Sequence, residues 1–129
     1  MRYVSAHHHS TFSFLDGYGT PLAHMERAAE LGMKALALTD HGNVSGHVTL
    51  EQAGKEVGVK PIYGCELYTG QVENESRTQR KNHLTILAEN QEGYRNLLRV
   101  VSRGWAEGFY YEPTVSGAML AEHAEGLVV

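Results

Sequence analysis

One cysteine, Cys65, is all the sequence holds, so no internal disulfide can form, and that scarcity suits a reducing compartment. Long apolar runs are missing too: nothing approaches the ~18 residues of a membrane span. The first residues, MRYVSAHHHSTFSF, are polar where a secretory signal would be apolar. These absences predict a cytoplasmic protein with no membrane partner. There is no basic excess, since 11 Lys+Arg stand against 15 Asp+Glu for a net charge of −4. With no long block of like charge either, an autonomous binder of bare duplex DNA is excluded and any nucleic-acid contact must be local or shared. Low-complexity tracts and close internal repeats are likewise absent. The 129 residues, 42% hydrophobic and 20% charged, make one domain or part of one, with enough apolar mass for a core.

Strand and helix signals alternate along the chain. Residues 3–9 read as a short strand and 10–19 as a polar, glycine-containing loop. A helix follows, with Thr20 as cap, Pro21 in its first turn, Leu22, Met25 and Ala29 at helical spacing, and Gly32 as terminator. Residues 33–38 form an apolar run suited to a strand covered on both faces, and polar chemistry starts where it ends, at Thr39-Asp40-His41-Gly42. A helix over 45–57, a strand over 59–68, a polar loop over 71–82 and a strand over 83–88 come next. Asn90 opens a helix whose Tyr94, Leu97, Leu98, Val101 and Trp105 make one apolar stripe. Phe109 to Pro113 reads as an aromatic loop, Ser116 begins a short helix, and Leu127-Val128-Val129 opens a further strand within which the sequence ends. Alternating strands and helices imply an α/β fold with a largely parallel sheet. A closed β/α barrel needs ~200 residues or more, so the chain is expected to supply about half of one.

Histidine is the abundant reactive residue, with eight copies at 7, 8, 9, 24, 41, 47, 83 and 123. On an extended segment His7 and His9 point to one side and His8 to the other, which is a metal-ligand arrangement, though a solvated polar strand end has the same spacing. Other ligand types sit near strand ends: His41 after one strand, Glu66 within the next, His83 at the start of a third. Functional groups in parallel β/α folds gather at the C-terminal sheet edge, and His83 fits only if its strand runs antiparallel or begins elsewhere. Imidazoles mixed with carboxylates suit zinc, manganese or iron, which can activate water for hydrolysis. Asp16 is either a ligand or a turn residue of Leu15-Asp16-Gly17. Asp40 is the candidate catalytic residue outside the ligand set, orienting His41, unless it caps the segment that follows.

Four stretches carry a resemblance: His7 to Gly17, Ala37 to Gly42, Pro61 to Glu66, and His83 to Ala88. Together they resemble the opening motifs of the PHP (polymerase and histidinol phosphatase) domain family. Gly93-Tyr94-Arg95-Asn96-Leu97 and Glu107-Gly108-Phe109-Tyr110-Tyr111 resemble the branch found in bacterial DNA polymerase III alpha subunits rather than the free-standing histidinol phosphatases. The resemblance implies a distorted, TIM-like β/α barrel, here its N-terminal portion over residues 1–129, with two to three divalent ions in a complete domain. It further implies His7, His9, Asp16, His41, Glu66 and His83 as ligands, Glu66 bridging, with the later ligands of the family lying beyond Val129. The activity implied is 3'-5' exonuclease proofreading by metal-assisted phosphodiester hydrolysis, and the partners are a DNA primer 3' end and the rest of the polymerase, in the same or a separate chain. The alternatives are a non-catalytic, metal-stabilised polymerase scaffold and a small-molecule PHP phosphatase.

The remaining polar features have plainer expectations. Cys65 falls on the opposite strand face from Glu66 and reads as a buried structural thiol. His8, His24, His47 and His123 are expected at the surface or behind the ligands. Arg95, Arg99 and Arg103 recur every four residues on one helix and could meet phosphate or simply face solvent, and the same choice applies to Arg77, Arg80 and Lys81 in the long loop.

Overall fold

The computed structural model describes residues 3–71 and 81–129. Arg77, Arg80 and most of the expected long loop lie outside the described residues. Helix α1 (Pro21–Glu30) starts as expected: the Thr20 hydroxyl accepts from Ala23 N at 3.2 Å and Pro21 fills the first turn, where no amide donor is needed. It ends as Gly32 turns left-handed at φ 69°, a conformation that any side chain would strain. Strand β1 (Ala35–Leu38) is buried throughout, and helix α2 (His47–Val57) packs with α1 over one of its faces. Met25, Ala28, Leu36, Leu38, Leu50, Ala53 and Val59 form that core.

Strand β2 (Lys60–Thr69) is the spine of the sheet. Along one edge β1 pairs with its first half in parallel, from Ala35 opposite Lys60 to Leu38 opposite Tyr63, and the pairing resumes at the His41–Glu66 bridge. Strand β3 (Asn82–Ala88) lies antiparallel on the other edge. Helix α3 (Gln91–Ala106) begins where the Asn90 side chain accepts from Gly93 N at 2.9 Å. It is followed by a hairpin of β4 (Phe109–Tyr110) and β5 (Glu112–Val115), then helix α4 (Gly117–Glu122) and strand β6 (Leu127–Val128) against β3. Cys65, Leu67, Ile86, Leu97, Val100, Val101, Val115 and Met119 make the second core, between the sheet and α3. Burying a side chain such as Leu97, which is 0% exposed, contributes about 1.5–3 kcal/mol. An exposed ion pair contributes roughly 0–1 kcal/mol, so burial rather than the arginine row holds α3 in place.

Four expectations need correcting. Residues 3–9 form no strand: the chain bends at Ala6 and His7, one parallel bridge, Ser5 to Leu36, links it to β1, and Thr39 Oγ1 accepts the His8 amide at 2.9 Å that a ladder carbonyl would otherwise accept. The sheet is mixed rather than largely parallel, since β3 returns antiparallel to β2 without a crossover helix. Phe109 to Pro113 is a hairpin, turned by Tyr111 at φ 60°. The stripe of α3 centres on Leu97, Val100 and Val101 and leaves Trp105 51% exposed. Among the described residues no pairing closes the six-stranded sheet on itself.

Candidate metal centre

Four neighbouring segments bring polar residues to one edge of the sheet. The N-terminal segment is tied to β1 by Ala37 N to Ser5 O at 2.9 Å and Thr39 N to His8 O at 2.8 Å, which brings His7 and His9 level with the end of β1. His41 follows β1 and is locked beside Glu66 by Glu66 N to Asp40 O at 3.1 Å and Gly42 N to Glu66 O at 2.9 Å. Alternation along β2 turns Cys65 and Leu67 toward α3 and presents Glu66 and Tyr68 on the opposite face. Because β3 is antiparallel and pairs His83 with Tyr68, the start of that strand reaches the same edge and the same face. The position that did not fit a parallel arrangement is thereby accounted for.

All six residues proposed as ligands from the sequence meet here, in three overlapping groups: His7, His9 and Glu66; His9, Asp16 and His41; His41, Glu66 and His83. Glu66 is the common member of two groups. Its Oε2 lies 2.5 Å from His7 Nε2 and 2.9 Å from His9 Nε2. Its Oε1 lies 2.5 Å from His83 Nδ1 and 3.8 Å from His41 Nδ1. Asp16 Oδ2 reaches His41 Nε2 at 3.2 Å from a loop so tight that a Cβ on Gly17 would come within 1.9 Å of the Ser10 carbonyl oxygen. Burial opposes charge on Glu66, but hydrogen bonds from His7 and His83 outweigh it and hold the carboxyl below the usual carboxylate range.

The donor set fits a divalent cation. His7 Nε2 and His9 Nε2 are 3.0 Å apart while both aim at one carboxylate oxygen, so two N–H donors would set like dipoles against each other. Among the described residues His41 Nδ1 is buried without a hydrogen-bond partner. Nitrogen lone pairs shared around a cation remove both conflicts, and mixed imidazole and carboxylate donors are what zinc, manganese or iron take.

Asp40 departs from the sequence expectation. It is 2% exposed, and among the described residues its carboxylate hydrogen-bonds neither the His41 ring nor the first amides of α2. Oδ1 accepts from Ser10 N and Ser13 Oγ, both at 2.7 Å, and Oδ2 accepts from Ser10 Oγ at 2.9 Å. Ser13 Oγ, having donated to Asp40, accepts from the His41 amide at 3.1 Å and lies 3.2 Å from His9 Nδ1. That leaves His9 to donate through Nδ1 and keeps its Nε2 lone pair free for a cation. Burial, with His41 alongside, also lowers the His9 pKa, so the ring stays neutral further into acid. Asp40 is thus a positioning residue acting through Ser13. Sequence reasoning missed Ser13 and Ser10, which stand just after the His7-His9 pair and about thirty positions from Asp40. Ser13→Ala should weaken divalent-metal affinity by roughly 10-fold or more, measured by competition with a chromogenic chelator, whereas an unchanged affinity would remove Ser13 from this role.

Several other polar residues are occupied by the fold. Arg95 and Arg99 bind Glu92, and Arg103 binds both Glu107 and Glu122, so the arginine row is neutralised locally. Lys81 donates to Tyr110 O at 2.5 Å and Glu112 O at 3.3 Å, fastening the hairpin turn. His47 was expected at the surface or behind the ligands, yet it is 2% exposed and its Nε2 bonds Gly64 O at 3.0 Å within the core. His8 packs edge-on against His24, with ring centroids 4.2 Å apart. Cys65 is 0% exposed, donates to Asp40 O at 3.3 Å, and has its thiol pushed up to about 12 by burial. A thiol reagent should leave the native protein unmodified and label it rapidly in denaturant, and labelling of the native state at an exposed-thiol rate would contradict this placement.

The chain is 42% identical over 133 aligned residues to the DNA polymerase III subunit alpha of Treponema pallidum, covering 99% of the chain and 11% of that subunit. The corresponding subunit of Thermus aquaticus is 40% identical over 139 residues, with 99% and 11% covered. The chain therefore spans only about a tenth of the length of these relatives. Among solved structures, a protein described as a metal-dependent phosphoesterase from Bifidobacterium adolescentis superposes with a TM-score of 0.57 at 21% identity, covering 95% of this chain and 49% of its own. An amidohydrolase from Chromobacterium violaceum, with bound sulfate and no metal, gives 0.55 at 24% identity, covering 78% and 34%. At those identities the likeness shows the fold alone. The PHP domain model matches residues 5–129, which carry every residue of the converged site, and the chain belongs to the PHP domain family.

Proposed function

We propose that this chain is the metallo-phosphoesterase module of a replicative DNA polymerase III alpha subunit, cleaving phosphodiester bonds at a primer 3' end in the manner of a 3'-5' exonuclease. The observation that carries this reading is the convergence of six nitrogen- and oxygen-bearing residues, Glu66 among them, from four separate stretches of chain. Divalent ions, two to three in a complete domain, would be held by His7, His9, Asp16, His41, Glu66 and His83, and when bound would polarise the phosphate and acidify a water. Glu66 supplies buried negative charge that draws cations together, and Asp40 with Ser13 keeps His9 in the ligand tautomer. His7 and His83, with about half of each side chain exposed, leave the site open on the solvent side, where a phosphodiester can enter. The polymerase relatives support a cytoplasmic setting, with DNA and the remaining polymerase as partners.

The test is hydrolysis of a 3'-mismatched primer in the presence of manganese or zinc, beside His9→Ala. We expect the substitution to lower turnover by at least about 100-fold, on the scale seen when a transition-state contact is lost. Equal, background-level rates for the two proteins would sink the reading. Chelator-sensitive melting without turnover would instead identify a metal-stabilised scaffold, and turnover of a phosphate monoester with indifference to single-stranded DNA would identify a small-molecule phosphatase.

A further inference from the structure

Beside the ligand set runs a cleft of about 690 Å³ that shares Asp16 and His41 with it. Aromatic side chains make up most of the rest of its lining: Phe12 and Phe14 from the loop before α1, Tyr68 from β2, Trp105 from α3, and Phe109 and Tyr111 from the hairpin. These rings belong to no core, for Phe14 is 86% exposed, Tyr111 84%, Trp105 51% and Phe109 49%. Apolar surface gathered in this way marks a binding site rather than ordinary surface scatter.

The walls are held in shape without a ligand. Trp105 Nε1 donates to Gly42 O at 2.8 Å, tying the indole to the residue after His41, and its ring stacks on Phe109 at 5.2 Å between centroids and 16° between planes. Tyr111 sits at φ 60°, a strained conformation for a non-glycine residue that projects its ring from the turn, and Lys81 clamps the carbonyls on both sides of it. Asn43 is used up within the fold, donating to Phe12 O at 3.0 Å and His41 O at 3.1 Å.

We infer that this cleft is a base-stacking subsite that takes the unpaired nucleobases of a single-stranded nucleic-acid end whose phosphate lies at the ligand set. The inference rests on the phosphodiester reading above and adds the form in which the substrate is accepted. Stacking on aromatic side chains is available to every base, but only to a base whose faces are free. A duplex end keeps its bases stacked and paired, so a frayed or mispaired terminus enters and a matched one does not. Among the described residues the lining holds two carboxylates, Asp16 and Glu112, and no lysine or arginine, so base stacking rather than phosphate attraction supplies the affinity that these residues give the cleft. With Asn43 committed to backbone carbonyls, sequence preference should be slight.

Trp105 is the only tryptophan, so its fluorescence reports directly on the cleft. The test titrates the protein, with chelator present to strip metals, with a single-stranded oligothymidylate, an abasic oligonucleotide of equal length and a blunt duplex. We expect quenching by the oligothymidylate at an affinity at least about tenfold tighter than the abasic strand, the worth of stacking roughly one base, with the duplex no better than the abasic strand. Tyr111→Ala and Phe14→Ala, both at highly exposed side chains, should bring the ratio of the two single strands close to one, and Tyr111→Phe should preserve it. Equal binding of abasic and base-bearing strands, duplex binding as tight as single-strand binding, or an unchanged ratio in both alanine variants would overturn the subsite. Because these measurements exclude metal, failure of primer hydrolysis would count against the phosphodiester reading and leave this ratio to be judged separately.

Discussion

Glu66→Gln should abolish metal uptake, with elemental analysis falling to background and the melting temperature becoming insensitive to chelator. Glu66 belongs to two of the three ligand groups, and its side chain is only 6% exposed, so no water can take over its charge cheaply. Oε2 serves His7 and His9 and Oε1 serves His83 and His41. Glutamine keeps the shape and thus the packing, but it removes the negative charge and turns a donor toward imidazole nitrogens that must offer lone pairs. Loss of an outer-shell partner costs about 10–100-fold in affinity, and loss of this shared inner carboxylate should exceed that. Where metal is present at ~100 times its dissociation constant, about 2.7 kcal/mol of ligand-derived stability disappears with it. Asp16, on an exposed loop and in one group only, should matter less. A Glu66→Gln protein retaining its full metal content would refute the bridging role.

Acid should act on the metal-free protein in a definite direction. Burial holds His8, His9 and His47 below the ordinary imidazole value of 6.5, so the unfolded chain binds protons more readily than the folded one. Stability is therefore unaffected well above 6.5, falls as pH drops through it, and stops falling once the folded rings are protonated. Glu66, depressed from 4.5, contributes stability that is present above that value and lost as pH falls through its folded pKa. Thermal melts of the chelated protein should be level from pH 8 to about pH 7 and decline from there to pH 5, and a melting temperature that rises toward acid would contradict the burial of these groups.

The second large effect is on the fold. Asp40→Ala should lower stability by about 3–5 kcal/mol and the melting temperature by roughly 10 °C or more, read by circular dichroism. The carboxylate is 2% exposed and takes three hydrogen bonds from Ser10 and Ser13. Alanine strands a buried amide and two hydroxyls and releases the loop that carries Asp16. Because His9 and His41 both lean on Ser13, metal affinity should fall with stability. Asp40→Asn, keeping one acceptor but adding a donor among donors, should fall between the two. A variant that melts within about 2 °C of the parent would show that the network is redundant.

Much of this was legible in the chain itself, because it depends on local rules. The Thr20, Asn90 and Ser116 caps, the Gly32 terminator and the helices they bound follow from backbone hydrogen-bonding needs within a few residues. The six candidate ligands were named from the resemblance to the PHP family; the residues alone suggested a metal site, because imidazoles and carboxylates recur near strand ends, but left Asp16 open between ligand and turn residue. What only the tertiary structure decided was direction and partnership. Whether β3 ran with or against β2 could not be read from its residues, since both pairings suit the same alternating pattern, yet that choice brings His83 to Glu66. Asp40 was assigned to His41 because they are adjacent in sequence, whereas the hydrogen bonds go to hydroxyls about thirty positions away, once β1 and the N-terminal segment lie side by side. The aromatic cleft likewise is lined by residues near 12 and residues near 110, a juxtaposition that no local pattern encodes and that packing of α3 and the hairpin against β2 brings about.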